Sequence, residues 1–248
     1  YQATNVVIAS GFFQKPKVLP VSDNLPPSIV QIHSSSYRNP QQLPPGAVLV
    51  VGSGQSGCQI AEELYQSGRK VYLSIGASSG RAPRRYRGKD IMWWLVNMGF
   101  FERTVDKLPS PHAKFGGNPH ASGKNGGHTL NLHQFVRDGV TLVGRIKGSE
   151  GATLTLAADV KDNLARIDKF EADLVKSVDD FIARSGLDAP EEILPQLRDA
   201  YAVEPPASLD LNAAGATSIV WAMGYTFDYT WIHLPVLDAD GYPQQQRG

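Results

Sequence analysis

The stretch Ala47–Gly57, AVLVVGSGQSG, constrains the fold of this chain more than any other. Its five opening residues are apolar and largely β-branched, the pattern of a strand buried on both faces of a parallel sheet. The G-x-G-x-x-G that follows assigns each glycine a task. Gly52 permits a tight turn out of the strand, Gly54 lets backbone approach a pyrophosphate, and Gly57 lets a helix pack closely on the sheet. Ile60, Ala61 and Leu64 are spaced to face that sheet, and Gly68 ends the helix. Lys70–Ile75 reads as the next strand, which completes a βαβ unit. Gly52, Ser53, Gly54, Gln55, Ser56 and Gly57 are therefore the expected cradle of a dinucleotide, its phosphates held at the helix N-terminus.

The second strand decides which dinucleotide. It ends Leu73-Ser74-Ile75-Gly76, without the carboxylate that accepts from the ribose hydroxyls of NADH. Arg81, Arg84, Arg85, Arg87 and Lys89 follow instead. A carboxylate would repel a 2′-phosphate, whereas a guanidinium grips one through paired hydrogen bonds. NADPH is thus the expected cofactor, with Arg81 and Arg84 on the 2′-phosphate and Ser78 as a further donor. Some of the remaining cations are expected at the surface or paired with Asp90.

Outside this unit, residues 6–10 read as a short buried strand closed by Gly11. Residues 12–45 are rich in proline and read mostly as loop, with a brief strand at 29–32. Further strands are expected at 140–143, 152–157 and 218–222. Helices are expected at 90–95, 129–135 and 165–184, the last ended by Gly186. VVIASG at 6–11 and IVWAMG at 219–224 share one form and flank the βαβ unit on both sides. The expected organisation is one domain, 46–205, inserted into another made of 1–45 and 206–248, with the two connections side by side. Both chain ends read as cut edges of something larger.

Composition removes several classes of function. Lys and Arg total 24 and are balanced by 24 Asp and Glu, which argues against a nucleic-acid partner. No apolar run approaches the length of a membrane span. The one cysteine, Cys58, excludes an internal disulfide framework and fits a reducing, cytoplasmic setting. Its place at a helix start would lower its pKa, although packing is its expected role. The histidines lack metal-ligand spacing, so no metal is expected. Glu62 and Glu63 are expected to face solvent, and no catalytic residue is assigned.

Several segments together resemble the flavin-containing monooxygenases and their bacterial flavoprotein relatives, which include Baeyer–Villiger-type enzymes. VVIASGFFQKPKVLP looks like that family's alanine-x-glycine segment. IHSSSYRNP is similar to the end of its H-x-x-x-Y-R signature, through His33, Tyr37 and Arg38. VLVVGSGQSG looks like its NADPH-side turn, and IVWAMGYTFDYTWI like its return strand. The resemblance implies a flavoprotein with two dinucleotide-binding domains: an α/β, Rossmann-like, doubly wound NADPH-binding domain inserted into a partial FAD-binding domain. The family's FAD-side glycine turn has no counterpart before residue 46. The implied chemistry is hydride transfer from NADPH to FAD, then oxygen transfer from dioxygen to a small organic substrate. By the same resemblance Ala9, Gly11 and Gly224 lie near the flavin–nicotinamide meeting point, and His33 and Tyr37 position cofactors from the linker. A non-oxygenating reductase and a non-catalytic nucleotide-binding module are the alternatives.

Overall fold

The computed structural model describes residues 2–76, 80–108, 110, 113, 115–116 and 119–244. Strands of three or more residues among them are β1 (Val30–His33), β2 (Ala47–Val51), β3 (Val71–Ser74), β4 (Thr141–Val143), β5 (Ile146–Glu150), β6 (Thr153–Leu156), β7 (Ser208–Asp210) and β8 (Ala216–Trp221). The α-helices are α1 (Gln55–Gln66), α2 (Ile91–Asn97), α3 (Leu132–Arg137) and α4 (Val160–Ser185). Five strands form a parallel sheet in the order β1-β8-β2-β3-β4, and β7-β6-β5 form an antiparallel one.

Every residue of β2 is buried, and its two faces go to different cores. Val48 and Val50 pack with Cys58, Ala61 and Leu64 of α1, Phe135 of α3, and Leu164 of α4. Leu49 and Val51 pack with Leu154 and Leu156 of β6 and Leu209 of β7. The molecule therefore has three layers: helices, parallel sheet, antiparallel sheet. A strand covered on both faces needs no polar alternation, which is why AVLVV reads as a continuous apolar run.

Helix boundaries follow local chemistry. Asp90 caps α2 by accepting from the Met92 amide, and Asn131 caps α3 by accepting from the His133 amide, both at 2.9 Å. Gly186 ends α4 in a left-handed conformation, its N–H donating to the Ile182 carbonyl. The first half of α4 lies in the sheet core. Its second half, through Leu174, Val178 and Ile182, joins Trp94 and Leu95 of α2 in a separate cluster.

Two expectations require correction. Residues 6–10 form no strand, and Val6 and Val7 are 80% and 88% exposed. An apolar run becomes a strand only where an open sheet edge accepts its hydrogen bonds, and among the described residues this one meets none. The boundaries drawn at 46 and 205 also cut through the parallel sheet, because β1 and β8 pair with each other and β8 pairs with β2. Parallel strands far apart in sequence leave no local signal that they are neighbours.

Helix and strand approach most closely at the glycine turn. A Cβ built on Gly57 would lie 1.8 Å from the Gly52 carbonyl oxygen. Gly52 itself has φ +107°, and a Cβ there would lie 2.5 Å from the carbonyl oxygen of Ala222, just after β8. Gly57→Ala is expected to lower unfolding stability by about 3 kcal/mol, the upper range of overpacking, measured by urea denaturation.

Candidate functional site

The chain leaves β2 at Gly52 and enters α1 at Gln55 with no side chain capping the helix. The first N–H groups of a helix lack intrahelical partners. Gly54, directly before them, has φ −71°, and a Cβ added there would meet nothing within 4 Å. The turn is thus tight at Gly52 and Gly57 and open at Gly54. Ser53 is buried, and its Oγ accepts from the Gly76 amide at 3.4 Å, tying the turn to the end of β3. The Gln55 side-chain amide both donates to and accepts from the Ala121 backbone, each at 3.0 Å, and so pins that loop beside the helix start. Ser56 is exposed on the first turn.

A cavity of about 470 Å³ runs along the carboxyl ends of β2 and β3, past Gly52 and Gly76 to Met223. Ligands in open α/β sheets bind at this edge. Arg145 and Lys147, just beyond β4, line it as well, and both are exposed. Sequence reasoning passed over them. The available signal was two cations between glycines, GRIKG, directly after an apolar strand. A second cavity of about 690 Å³ lies along α4 beneath residues 192–198 and is lined by Arg81, Asp168 and Glu171.

The arginine-rich segment behaves differently from expectation. Arg81 is buried, and its guanidinium donates to both oxygens of Glu171 at 2.9 and 2.7 Å and to Asp168 at 2.9 Å. Arg84 pairs with Asp90 at 2.7 Å. Neither lines the cavity at the glycine turn. Ser78 lies outside the described residues. The carboxylates that occupy Arg81 come from α4, some ninety positions away, so nothing local in the sequence announced them.

Asp168 anchors a wider network. Burial alone would raise its pKa, but hydrogen bonds from His133, Tyr201 and Arg81, with the Arg81 charge, outweigh that and hold it at about 2. His133 is fully buried, and its Nδ1 accepts from the Ala200 amide at 3.1 Å. Its proton therefore sits on Nε2, which donates to Asp168 at 3.2 Å. Burial, reinforced by the Arg81 charge, lowers His120 to about 4.

The remaining site candidates are engaged within the chain. The Nδ1 of His33 accepts from the Ser35 amide, so Nε2 donates to the Gly224 carbonyl at 3.1 Å. That carbonyl also accepts from the Lys17 amide at 2.9 Å. Gly11 offers its carbonyl to the Tyr229 hydroxyl at 3.0 Å, whereas Ala9 is exposed. Lys15–Pro16 pairs antiparallel with Tyr225–Thr226, which sets the segment before β1 against the segment after β8. Tyr37 is buried and donates to Glu63 at 2.9 Å. Glu62 is buried too and meets His128 Nε2 at 2.6 Å. The expectation that both glutamates face solvent fails, because the loop carrying His128 and the linker carrying Tyr37 fold over α1. Burial first, then the Glu62 charge, pushes the Cys58 thiol up to about 12, opposite to the shift its helix-start position suggested. No group of side chains suited to a metal ion occurs among the described residues. No helix among them is long and apolar enough to cross a membrane.

Comparison with known proteins adds a family context. A family model described as pyridine nucleotide-disulphide oxidoreductase matches residues 1–93. A CzcO-like oxidoreductase of Geobacillus kaustophilus is 31% identical over 249 residues, covering all of this chain and 55% of that protein. The CzcO oxidoreductase of Bacillus subtilis is 37% identical over 119 residues, 48% of this chain and 34% of that one. A flavin-containing monooxygenase of Arabidopsis thaliana, FMO GS-OX-like 7, is 30% identical over 95 residues, 38% of this chain and 20% of its own length. The chain thus spans about half the length, or less, of these relatives.

Two outcomes follow from the buried network. Arg81→Ala leaves the buried Glu171 without its cation and Asp168 with Arg198 alone, and is expected to cost about 3–5 kcal/mol of stability, while leaving the ratio of NADPH to NADH affinity unchanged in titration calorimetry. His120 has a folded pKa below its unfolded value. Its contribution is therefore complete above about pH 6.5 and is lost as the pH falls toward 4. Unfolding free energy measured across that window is expected to fall in the wild type and to flatten in His120→Asn.

Proposed function

We propose that this relative of the flavin-containing monooxygenases, one of an FMO-like flavoprotein family, holds the pyrophosphate of NADPH over the Gly52–Gly57 turn and serves an oxidoreductase of monooxygenase type. The observation that carries the reading is the contrast within the turn. Side chains are excluded at Gly52 and Gly57 by backbone oxygens, yet the space over Gly54 is open beside an uncapped helix N-terminus. That geometry suits a group that is anionic, wide and accepts hydrogen bonds, and a pyrophosphate has all three properties.

The residues of this chain then have separable tasks. The Gly54 backbone and the first amides of α1 bind phosphate. Ser53 fixes the spacing between the turn and the end of β3. Gln55 holds the Ala121 loop at the flank of the site. The cavity toward Met223 leaves room for the nicotinamide end at the carboxyl edge of the sheet. Bound NADPH would supply a hydride at this edge; in the chemistry that the family likeness implies, FAD would accept it, one atom of dioxygen would enter a small organic substrate and the other would leave as water.

Flavin has a weaker case in these residues. Gly11, His33, Tyr37 and Gly224 make contacts within the chain and Ala9 is exposed; together they build no second phosphate cradle among the described residues, so no step here is routed through them. Dithiol chemistry of the kind in the matched family's description has no support in this chain either. Its one cysteine is buried, with a thiol raised to about 12.

Gly54→Val separates binding from folding. Its backbone angles suit any residue, and its Cβ would meet no neighbour. Stability is expected to stay within about 0.5 kcal/mol of wild type, while affinity for NADPH and NADH alike falls at least about tenfold, the effect of losing a charge-assisted hydrogen bond. Calorimetric titration with both nucleotides checks this, and unchanged affinity for both would overturn the assignment of the turn.

A further inference from the structure

We infer that Arg145 and Lys147, rather than Arg81 and Arg84, distinguish NADPH from NADH by holding the 2′-phosphate. This rests on the proposed dinucleotide cradle and names the part of that site which reads the ribose. In a fold of this kind the residue at the end of the second strand meets the ribose hydroxyls. Here that position is Gly76, which brings neither a carboxylate nor a side chain. A Cβ built on it would lie 3.6 Å from both Cγ and Cδ of Arg145, so the arginine stem covers the place where the NADH-reading carboxylate would stand.

Arg145 is presented for binding. Its backbone N–H and Nε both donate to Asp159, at 3.2 and 2.5 Å. Among the described residues its two terminal nitrogens have no hydrogen-bond partner, and its side chain is 65% exposed. Asp159 thus aims the guanidinium and leaves its outer edge available for a phosphate. Lys147 lines the same cavity and is exposed. Arg81, by contrast, is 5% exposed and neutralised by two carboxylates. A planar fork supplemented by a point charge is a suitable receptor for a dianionic phosphate monoester.

The test uses 2′,5′-ADP and 5′-AMP as probes, titrated into the full chain by calorimetry, with NADPH and NADH in parallel. Wild type is expected to bind 2′,5′-ADP more tightly than 5′-AMP. Arg145→Ala is expected to weaken 2′,5′-ADP and NADPH about ten- to hundredfold, and Lys147→Ala about tenfold or less, with 5′-AMP and NADH nearly unchanged. Asp159→Asn removes the ion pair but keeps the cation, and it should retain the preference for the 2′-phosphate. If Arg145→Ala and Asp159→Asn weaken all four ligands alike, Arg145 is only a brace for α4 and the inference fails while the cradle stands. If Arg145→Ala leaves the preference intact, the inference also fails. Should wild type bind none of the four, the cradle itself is refuted and this inference with it.

Discussion

The carbonyl oxygen of Gly52 lies where any side chain at position 57 would have to go, and the carbonyl of Ala222 blocks position 52 in the same way. Three backbone segments therefore meet at one point: the end of β2, the first turn of α1 and the exit of β8. Backbone atoms make the nearest approaches and the short Ala222 methyl stands beside them, so no flexible side chain can be adjusted to relieve the contact. The helix axis is brought onto the strand end, so its first amides stand at the carboxyl edge of the sheet, beside the Gly52 that also lines the 470 Å³ cavity. The proposed chemistry depends on this approach, because a helix set back from the strand would carry its N–H groups away from any ligand at that edge.

Around this point the chain uses polar pairs to hold irregular segments. Arg81 fastens the loop after β3 to α4 through Glu171 and Asp168, and His133, Arg198 and Tyr201 converge on the same Asp168 carboxylate. Glu62 and His128 tie the 119–128 loop to α1, as Gln55 does from the other side. These loops are rich in glycine and polar residues and have little apolar surface to bury. Directional bonds to the helices do for them what hydrophobic packing does for the sheet.

How far the sequence could be read follows from the range of each interaction. The βαβ unit and the long amphipathic helix were legible, because strand runs, glycine positions and helical spacing are local. The β1-β8-β2 adjacency was not, since it joins strands more than 160 positions apart in the chain. The arginines misled for a related reason. Basic residues after β3 look alike in sequence, and only the far carboxylates of α4 mark Arg81 as a scaffold member. Arg145 was missed because the two cations of GRIKG gain a meaning only when the Gly76 backbone, some seventy positions away, is seen beside the Arg145 stem. The run VVIA at 6–9 shows the opposite error. Its composition suits a strand, but composition does not supply a partner edge.

The burial of Cys58 has a use that its chemistry alone would not suggest. The chain's one sulfhydryl sits between α1 and the parallel sheet, with its Sγ directed to the Ser53 carbonyl at 3.4 Å. A maleimide or other thiol reagent can reach it only while the helix is lifted from the strands. The rate of labelling under native conditions is therefore a clock for that opening, ticking at the same seam that the glycines close.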